Sequence, residues 1–220
     1  MVGAAFKALA DLLSPELRTV LFRAIGLTAL LFAATLVIVE VLVGYLVTFS
    51  WPWADWVLAI GSGVVLVIAF FFLMSPVTAA FAGLFLDDVA ARIERKHYPL
   101  DDPGVALSMW PALWSGLRFA VLVLAVNLAI LPMILFGVGA ILLVAVNAYL
   151  LSREYFEMIA MRHMPVEDAR QLRKLNSPAV FVSGLVPSLL SLVPLFNLAV
   201  PLYATAYFVH VFKRVQASSA

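Results

Sequence analysis

The chain has 220 residues, 65% of them hydrophobic and 12% charged, with 14 Lys and Arg against 13 Asp and Glu. That apolar excess is the composition of an integral membrane protein, not of a soluble domain. A net charge of +1 argues against nucleic-acid binding, which needs a basic face, and the absence of cysteine excludes disulfides, thiolate metal sites and cysteine nucleophiles.

Met1–Leu13 carries Lys7 and Asp11 and lacks the apolar core and cleavage site of a signal peptide. Its Phe6, Leu9, Leu12 and Leu13 follow helical spacing, which predicts a helix lying on a membrane surface. Ser14-Pro15-Glu16-Leu17-Arg18 then reads as a helix start. Ser14 suits the cap and Pro15 the first position, leaving free backbone N–H groups at the positive end of the dipole. Arg18, one turn in, adds a charge-assisted donor suited to an oxyanion.

Ala24–Phe49 is the first apolar block and holds one charge, Glu40. Glu40 lies about 15 Å along a helix from the Phe49 end, near mid-bilayer depth. A carboxylate there must be protonated, paired, or turned to water or a neighbouring subunit. Ser50–Trp56 joins this block to the next; Trp51, Trp53 and Trp56 suit a headgroup belt and Pro52 a turn. The second block, Trp56–Leu86, is uncharged and is predicted to continue as a helix through Lys96.

Along that continuation Asp87, Asp88, Arg92, Glu94, Arg95, Lys96 and His97 are polar, while Leu86, Val89, Ala90 and Ile93 make an apolar stripe. Asp88 and Arg92 stand four apart in the favourable order for pairing. Two readings fit: a solvated extension packed on a loop, or a charged vestibule in which Arg92 helps collect anions.

The third and fourth blocks, Phe119–Leu151 and Leu175–Val209, are uncharged and too long for one crossing. A continuous helix of either length would reach roughly 50 Å against a hydrocarbon core of about 30 Å. Pro132, Gly137 and Gly139 interrupt the third block; Pro187, Pro194 and Pro201 interrupt the fourth. Each therefore reads as a pair of short helices that enters the bilayer and turns back, which points to a protein-lined or water-lined pathway. Asn127, Asn147 and Asn197 are polar groups inside these blocks. Asn197 either serves that pathway or satisfies backbone groups freed by Pro194 and Pro201. The tail Gln216–Ala220 reads as disordered.

The cations agree with the hairpins. If all four blocks crossed once, the loop with Arg153, Arg162, Arg170, Arg173 and Lys174 would face away from the N-terminus, against the positive-inside tendency. With two re-entrant blocks, all 14 Lys and Arg fall on one side. The expected fold is one all-α membrane domain, residues 1–220, with two long transmembrane helices and two re-entrant (hemi-penetrating) helical hairpins.

Sequence motifs for nucleotide, zinc-protease or serine-hydrolase chemistry do not occur, so an enzyme, an ATP-driven pump and a cofactor are not expected. His97, His163 and His210 are too far apart along the chain for a local metal motif.

Three segments carry a family likeness: Phe6-Lys7 with Leu12-Leu13-Ser14-Pro15-Glu16-Leu17-Arg18; Ser75-Pro76 with Phe81-Ala82-Gly83-Leu84 running through Arg92; and Val193-Pro194-Leu195-Phe196-Asn197-Leu198-Ala199-Val200-Pro201. In them the chain resembles the CysZ family of bacterial inner-membrane sulfate permeases. The resemblance implies two long helices with two hemi-penetrating hairpins, a homo-oligomer in membrane lipid, and sulfate uptake for cysteine biosynthesis without ATP hydrolysis. It also implies an anion site in a Gly-hydrophobic-Arg-Arg loop at the start of the first long helix. The matching residues are Glu16, Leu17, Arg18 and Thr19, so Leu17 and Arg18 fit while Glu16 and Thr19 depart. The expected anion-binding residues are Leu17, Arg18 and Thr19, with Glu40, Arg92 and Asn197 at the pathway or a subunit contact. The rival is a non-transporting membrane scaffold or assembly protein of the same fold.

Overall fold

The computed structural model describes residues 2–15, 17–19, 22, 23, 26, 30, 32–34, 36–38, 41, 60, 61, 63, 64, 86–106, 108–130, 132, 133, 138–193, 196 and 199–219. Among the described residues there is no strand; the elements are helices joined by turns. In chain order they are α1 (Val2–Leu12), a helical run over 86–97, α2 (Met109–Ile130), α3 (Gly139–Ala160), α4 (Val166–Leu175), α5 (Ser177–Ser191) and α6 (Val200–Ser219). Most of the two predicted spans, Ala24–Phe49 and Trp56–Leu86, lies outside the described residues. Among the described residues no helix is long and apolar enough to cross a membrane.

Each of the two long apolar blocks holds two packed helices among the described residues. α2 ends at Ile130 and α3 begins at Gly139, so the interruption takes in Pro132, and the two helices pack on each other. In the fourth block the break falls between Ser191 and Val200, and α5 packs on α6. Two of the three prolines expected to interrupt that block do not. Pro187 lies buried inside α5, where tertiary packing outweighs one missing backbone bond. Pro201 occupies the first turn of α6, where its missing N–H costs nothing.

The helices also overrun the apolar blocks. α2 begins ahead of Phe119 and takes in Arg118, and α3 continues through Arg153, Glu154 and Glu157. The loop expected around Arg162 to Lys174 contains α4, whose first turn holds Glu167 and Asp168 and whose last holds Arg173 and Lys174. That arrangement complements the helix dipole at both ends. The tail expected to be disordered is helical through Ser219. Gln216, Ala217 and Ser218 contain no helix breaker, and the Ser218 hydroxyl donates to the Val215 carbonyl at 2.8 Å.

α6 is the centre of the molecule: every residue over 200–213 is buried. A helix apolar on all sides buries itself among others. Ala8 and Leu12 of α1, Leu86, Val89, Ala90 and Ile93 of the 86–97 run, Tyr155, Phe156, Ile159 and Ala160 of α3, and Val180 of α5 share its core. The apolar stripe expected on 86–97 is therefore the face packed inward. Tyr155 stacks on Phe208 with ring centres 6.2 Å apart, and Phe156 meets Phe212 edge-on at 6.1 Å. Of the apolar positions expected on one α1 face, Phe6, Leu9 and Leu13 are exposed, while Leu12 turns into the core beside buried Asp11. Asp11 draws that side of α1 onto Lys96 and His97 of the 86–97 run.

α3 and α5 pack tightly on each other through small residues. Ala148, Ser152, Gly184 and Ser188 are buried, and the Ser188 hydroxyl donates to the Val144 carbonyl across the seam at 2.8 Å. A Cβ added at Gly184 would lie 2.1 Å from the Ala148 carbonyl oxygen. Gly184→Ala should therefore lose about 1–3 kcal/mol by overpacking, despite the gain in helix propensity. Gly3→Ala in α1, where an added Cβ meets nothing within 4 Å, should be neutral or slightly stabilising. Thermal unfolding of both variants in detergent checks the contrast.

Candidate functional site

At the expected anion site the chain turns out of α1 and re-enters a helix. The Ser14 amide donates to the Asp11 carbonyl at 2.9 Å, and the Arg18 amide donates to the Ser14 carbonyl at 2.9 Å, so Ser14 occupies the cap position. Its hydroxyl is buried and has no hydrogen-bond partner among the described residues, so it does not close the cap through its side chain. Leu17 is 1% exposed and belongs to the core, which leaves only its backbone to offer a ligand. Arg18 and Thr19 are exposed. The Arg18 guanidinium lies 5.8 Å from the centre of the Phe22 ring, and the Thr19 hydroxyl donates to the Pro15 carbonyl at 3.2 Å. Arg18 pairs with no carboxylate among the described residues.

Arg92 is in a different state, bound to Asp88 on an exposed face at 2.9 Å, as its spacing predicted. Glu40 and Asn197 lie outside the described residues. Asn127, on α2, has its buried Oδ1 without a partner among the described residues.

The polar side chains that the fold brings together lie elsewhere, at the end of the 86–97 run. Arg162, in the turn after α3, is buried and binds two carboxylates. It donates to both Glu94 oxygens at 3.3 and 3.2 Å and pairs with Asp87. His163 Nε2 is 3.0 Å from Glu94 Oε1, and the Gly104 amide donates to Glu94 Oε2 at 3.3 Å. Burial would raise the Glu94 carboxyl, but the bonds and charges of His163 and Arg162 bring it down to about 2. This one carboxylate ties three segments: the 86–97 run, the loop at Gly104 and the turn after α3.

A second cluster surrounds Asp11, which is 2% exposed. Lys96 Nζ donates to its Oδ1 at 2.7 Å, and His97 Nε2 lies 2.8 Å from its Oδ2. His210 of α6 approaches the same Oδ2 with Nε2 at 3.6 Å, and its Nδ1 is 2.8 Å from the Tyr98 hydroxyl. Burial opposes ionisation of Asp11, and the bonds from Lys96 and His97 outweigh it, so the carboxyl sits below its usual range. Burial, then the neighbouring His97, pushes His210 down to about 4 against the pull of Asp11, which keeps its imidazole neutral near pH 7. Sequence spacing concealed this cluster. The available signal was an acid on the one α1 face that also carries Ala8 and Leu12.

Facing α2 and α3, a groove of about 300 Å³ is lined by Arg118, Arg153 and Arg170 together with Glu154 and Glu157. Glu157 is shared, at 2.6 Å from Arg173, 3.8 Å from Arg170 and 3.9 Å from Arg153. These carboxylates offset most of the positive charge, which makes the groove a weaker anion collector than an unpaired arginine.

A family model described as "Sulfate transporter CysZ/Etoposide-induced protein 2.4" matches residues 4–201. No curated protein matches the chain.

The buried ion cluster carries a testable consequence. Glu94→Ala leaves the buried Arg162 guanidinium with one of its two carboxylates, which should cost about 3–5 kcal/mol, read as a lowered unfolding temperature in detergent. Because the folded Glu94 carboxyl is depressed from 4.5 to about 2, its contribution is complete above about pH 4.5 and is lost as the pH falls towards 2. Wild type should lose stability across that window, and Glu94→Ala should lose less.

Proposed function

Because the chain belongs to the sulfate transporter CysZ/etoposide-induced protein 2.4 family, we propose that it passes sulfate, or a related tetrahedral oxyanion, across the bacterial inner membrane. The observation that carries this reading is a family match running over residues 4–201 of 220. A channel-like route fits, since the sequence holds no nucleotide-binding motif to drive a pump. Uptake of this kind feeds cysteine biosynthesis. The proposed architecture is two full spans over the first two apolar blocks, with α2–α3 and α5–α6 as re-entrant pairs. Outward-facing Trp110, Trp114, Val121 and Leu128 on α2 and Val182 and Leu189 on α5 support contact with lipid or further copies of the chain.

Arg18 is the proposed anion contact. It is exposed at a helix start and pairs with no carboxylate among the described residues, and Thr19 stands next to it with its hydroxyl turned to the Pro15 carbonyl. Leu17 contributes by its backbone alone. Glu40 is proposed to face a subunit contact or a watery cavity, Arg92 to line the entrance, and Asn197 to serve the pathway.

The family description also names an etoposide-induced protein, and that name assigns no transport. This favours, as the second reading, a membrane scaffold or assembly protein of the same fold.

Sulfate flux into liposomes holding only this protein separates the two. A permease gives saturable or conductive entry and a scaffold gives none. Arg18→Ala should weaken sulfate binding by about ten- to a hundredfold, the worth of one charge-assisted contact of roughly 1.5–3 kcal/mol. Arg18→Lys should recover part, since ammonium lacks the planar fork, and Glu16→Gly should tighten binding. Normal transport by Arg18→Ala would place the anion site elsewhere.

Topology is tested by single cysteines at Gly3, Ser108, Gln171 and Ser218, against one at Ser50. An impermeant thiol reagent should label the first four from one face and Ser50 from the other. Opposite labelling of Ser108 and Gln171 would eliminate the re-entrant pairs.

A further inference from the structure

We propose that Asp11, His97 and His210 form a binding site for a zinc-class divalent cation, joining α1, the 86–97 run and α6. The ligand atoms, Asp11 Oδ2 and the two imidazole nitrogens, lie within 4.8 Å of one another. Tetrahedral zinc with bonds of about 2.0–2.1 Å separates its ligands by roughly 3.3 Å. The two separations from Asp11 Oδ2 are 2.8 Å to His97 Nε2 and 3.6 Å to His210 Nε2, on either side of that value. The third separation, between the two imidazole nitrogens, is bounded at 4.8 Å, so the rings close on the ion as it binds.

The decisive atom is His210 Nε2. It is buried, it has no hydrogen-bond partner among the described residues, and at 3.6 Å it is beyond hydrogen-bond reach of the carboxylate it faces. His210 is 4% exposed. A buried nitrogen left unanswered costs free energy, and a cation between it and Asp11 would use its lone pair. The other ring nitrogen already has an outer partner, the Tyr98 hydroxyl at 2.8 Å. The tautomer in which Nδ1–H donates to the Tyr98 oxygen presents the Nε2 lone pair as a ligand.

Lys96 takes Oδ1, His97 Nε2 spans both oxygens at 2.8 and 3.0 Å, and His210 Nε2 faces Oδ2. Oδ2 is thus the oxygen that both imidazoles share and that the lysine leaves to the cation. Two nitrogens and one carboxylate oxygen favour zinc, cobalt or nickel over calcium or magnesium, and three protein ligands leave a fourth position for water. The site is independent of the transport reading, because its binding is measured without flux.

The untagged full chain suits the test, since it has no cysteine and three histidines in total. Purified in detergent and titrated with Co2+, it should develop the visible absorption of a four-coordinate nitrogen–oxygen site at one equivalent, bleached by Zn2+. No such band at saturating cobalt overturns the proposal. His97→Gln alters the most exposed ligand and spares the core, so the variant should fold. Its zinc affinity should fall more than about a hundredfold, beyond the 10–100-fold expected for Tyr98→Phe, which removes only the outer partner. Zinc should raise the unfolding temperature of wild type and not of His97→Gln. Equal zinc affinity in wild type and His97→Gln overturns the site.

Discussion

Helix α6 is enclosed over 200–213, so each polar group it carries there has to be answered by a neighbour or remain a cost in free energy. The Thr205 hydroxyl is answered locally, by the Pro201 carbonyl at 2.8 Å. Three others reach outward. The Tyr203 hydroxyl meets the Ala5 carbonyl at 3.4 Å, His210 meets the Tyr98 hydroxyl, and Lys213 pairs with Asp101 at 2.8 Å while lying over the Tyr98 ring. α1 and residues 98–101 are thereby placed by what α6 demands of them. An unanswered ammonium or imidazolium at this depth would favour its neutral form or a different packing.

The 86–97 run is the bracket between the two ionic clusters. Glu94 turns to Arg162 and His163, whereas Lys96 and His97 turn to Asp11. Neighbouring positions on one helix thus grip different parts of the chain. Its apolar stripe needs Leu86, Val89, Ala90 and Ile93 against α6, which aims the polar positions at both sides of that helix. Polar pairing and apolar packing specify the same register here, and that agreement favours a single arrangement over many.

What could be read from the sequence follows from the range of each signal. Helix class, the break near Pro132, the inward stripe on 86–97 and the Asp88–Arg92 pair are local, set by residues within a few turns. Pro187 misled because a buried helix tolerates a proline when packing compensates. On α1 the burial of Leu12 was not legible, because apolar spacing carries no sign of the partners that Asp11 meets. The clusters are beyond local reading: Arg162 and Glu94 lie 68 positions apart, and His97 and Asp11 lie 86 apart. Arg18 was legible as a helix-start cation, yet burial of Leu17 was not, since no spacing rule distinguishes it from a surface position.

The seam between α3 and α5 limits how this molecule can change shape. Helices slide or roll past each other by exchanging side-chain contacts, and that requires side chains in between. At Gly184 and Ala148 one backbone rests directly on the other, with the Ser188 hydroxyl bound to the Val144 carbonyl as a second anchor. Translation along that seam would drive the Cβ of a neighbouring residue into a carbonyl, so α3 and α5 rotate and translate as one body. One helix from each apolar block is thereby fused to the other, and freedom to open or close a passage falls to the helices leaning on that pair.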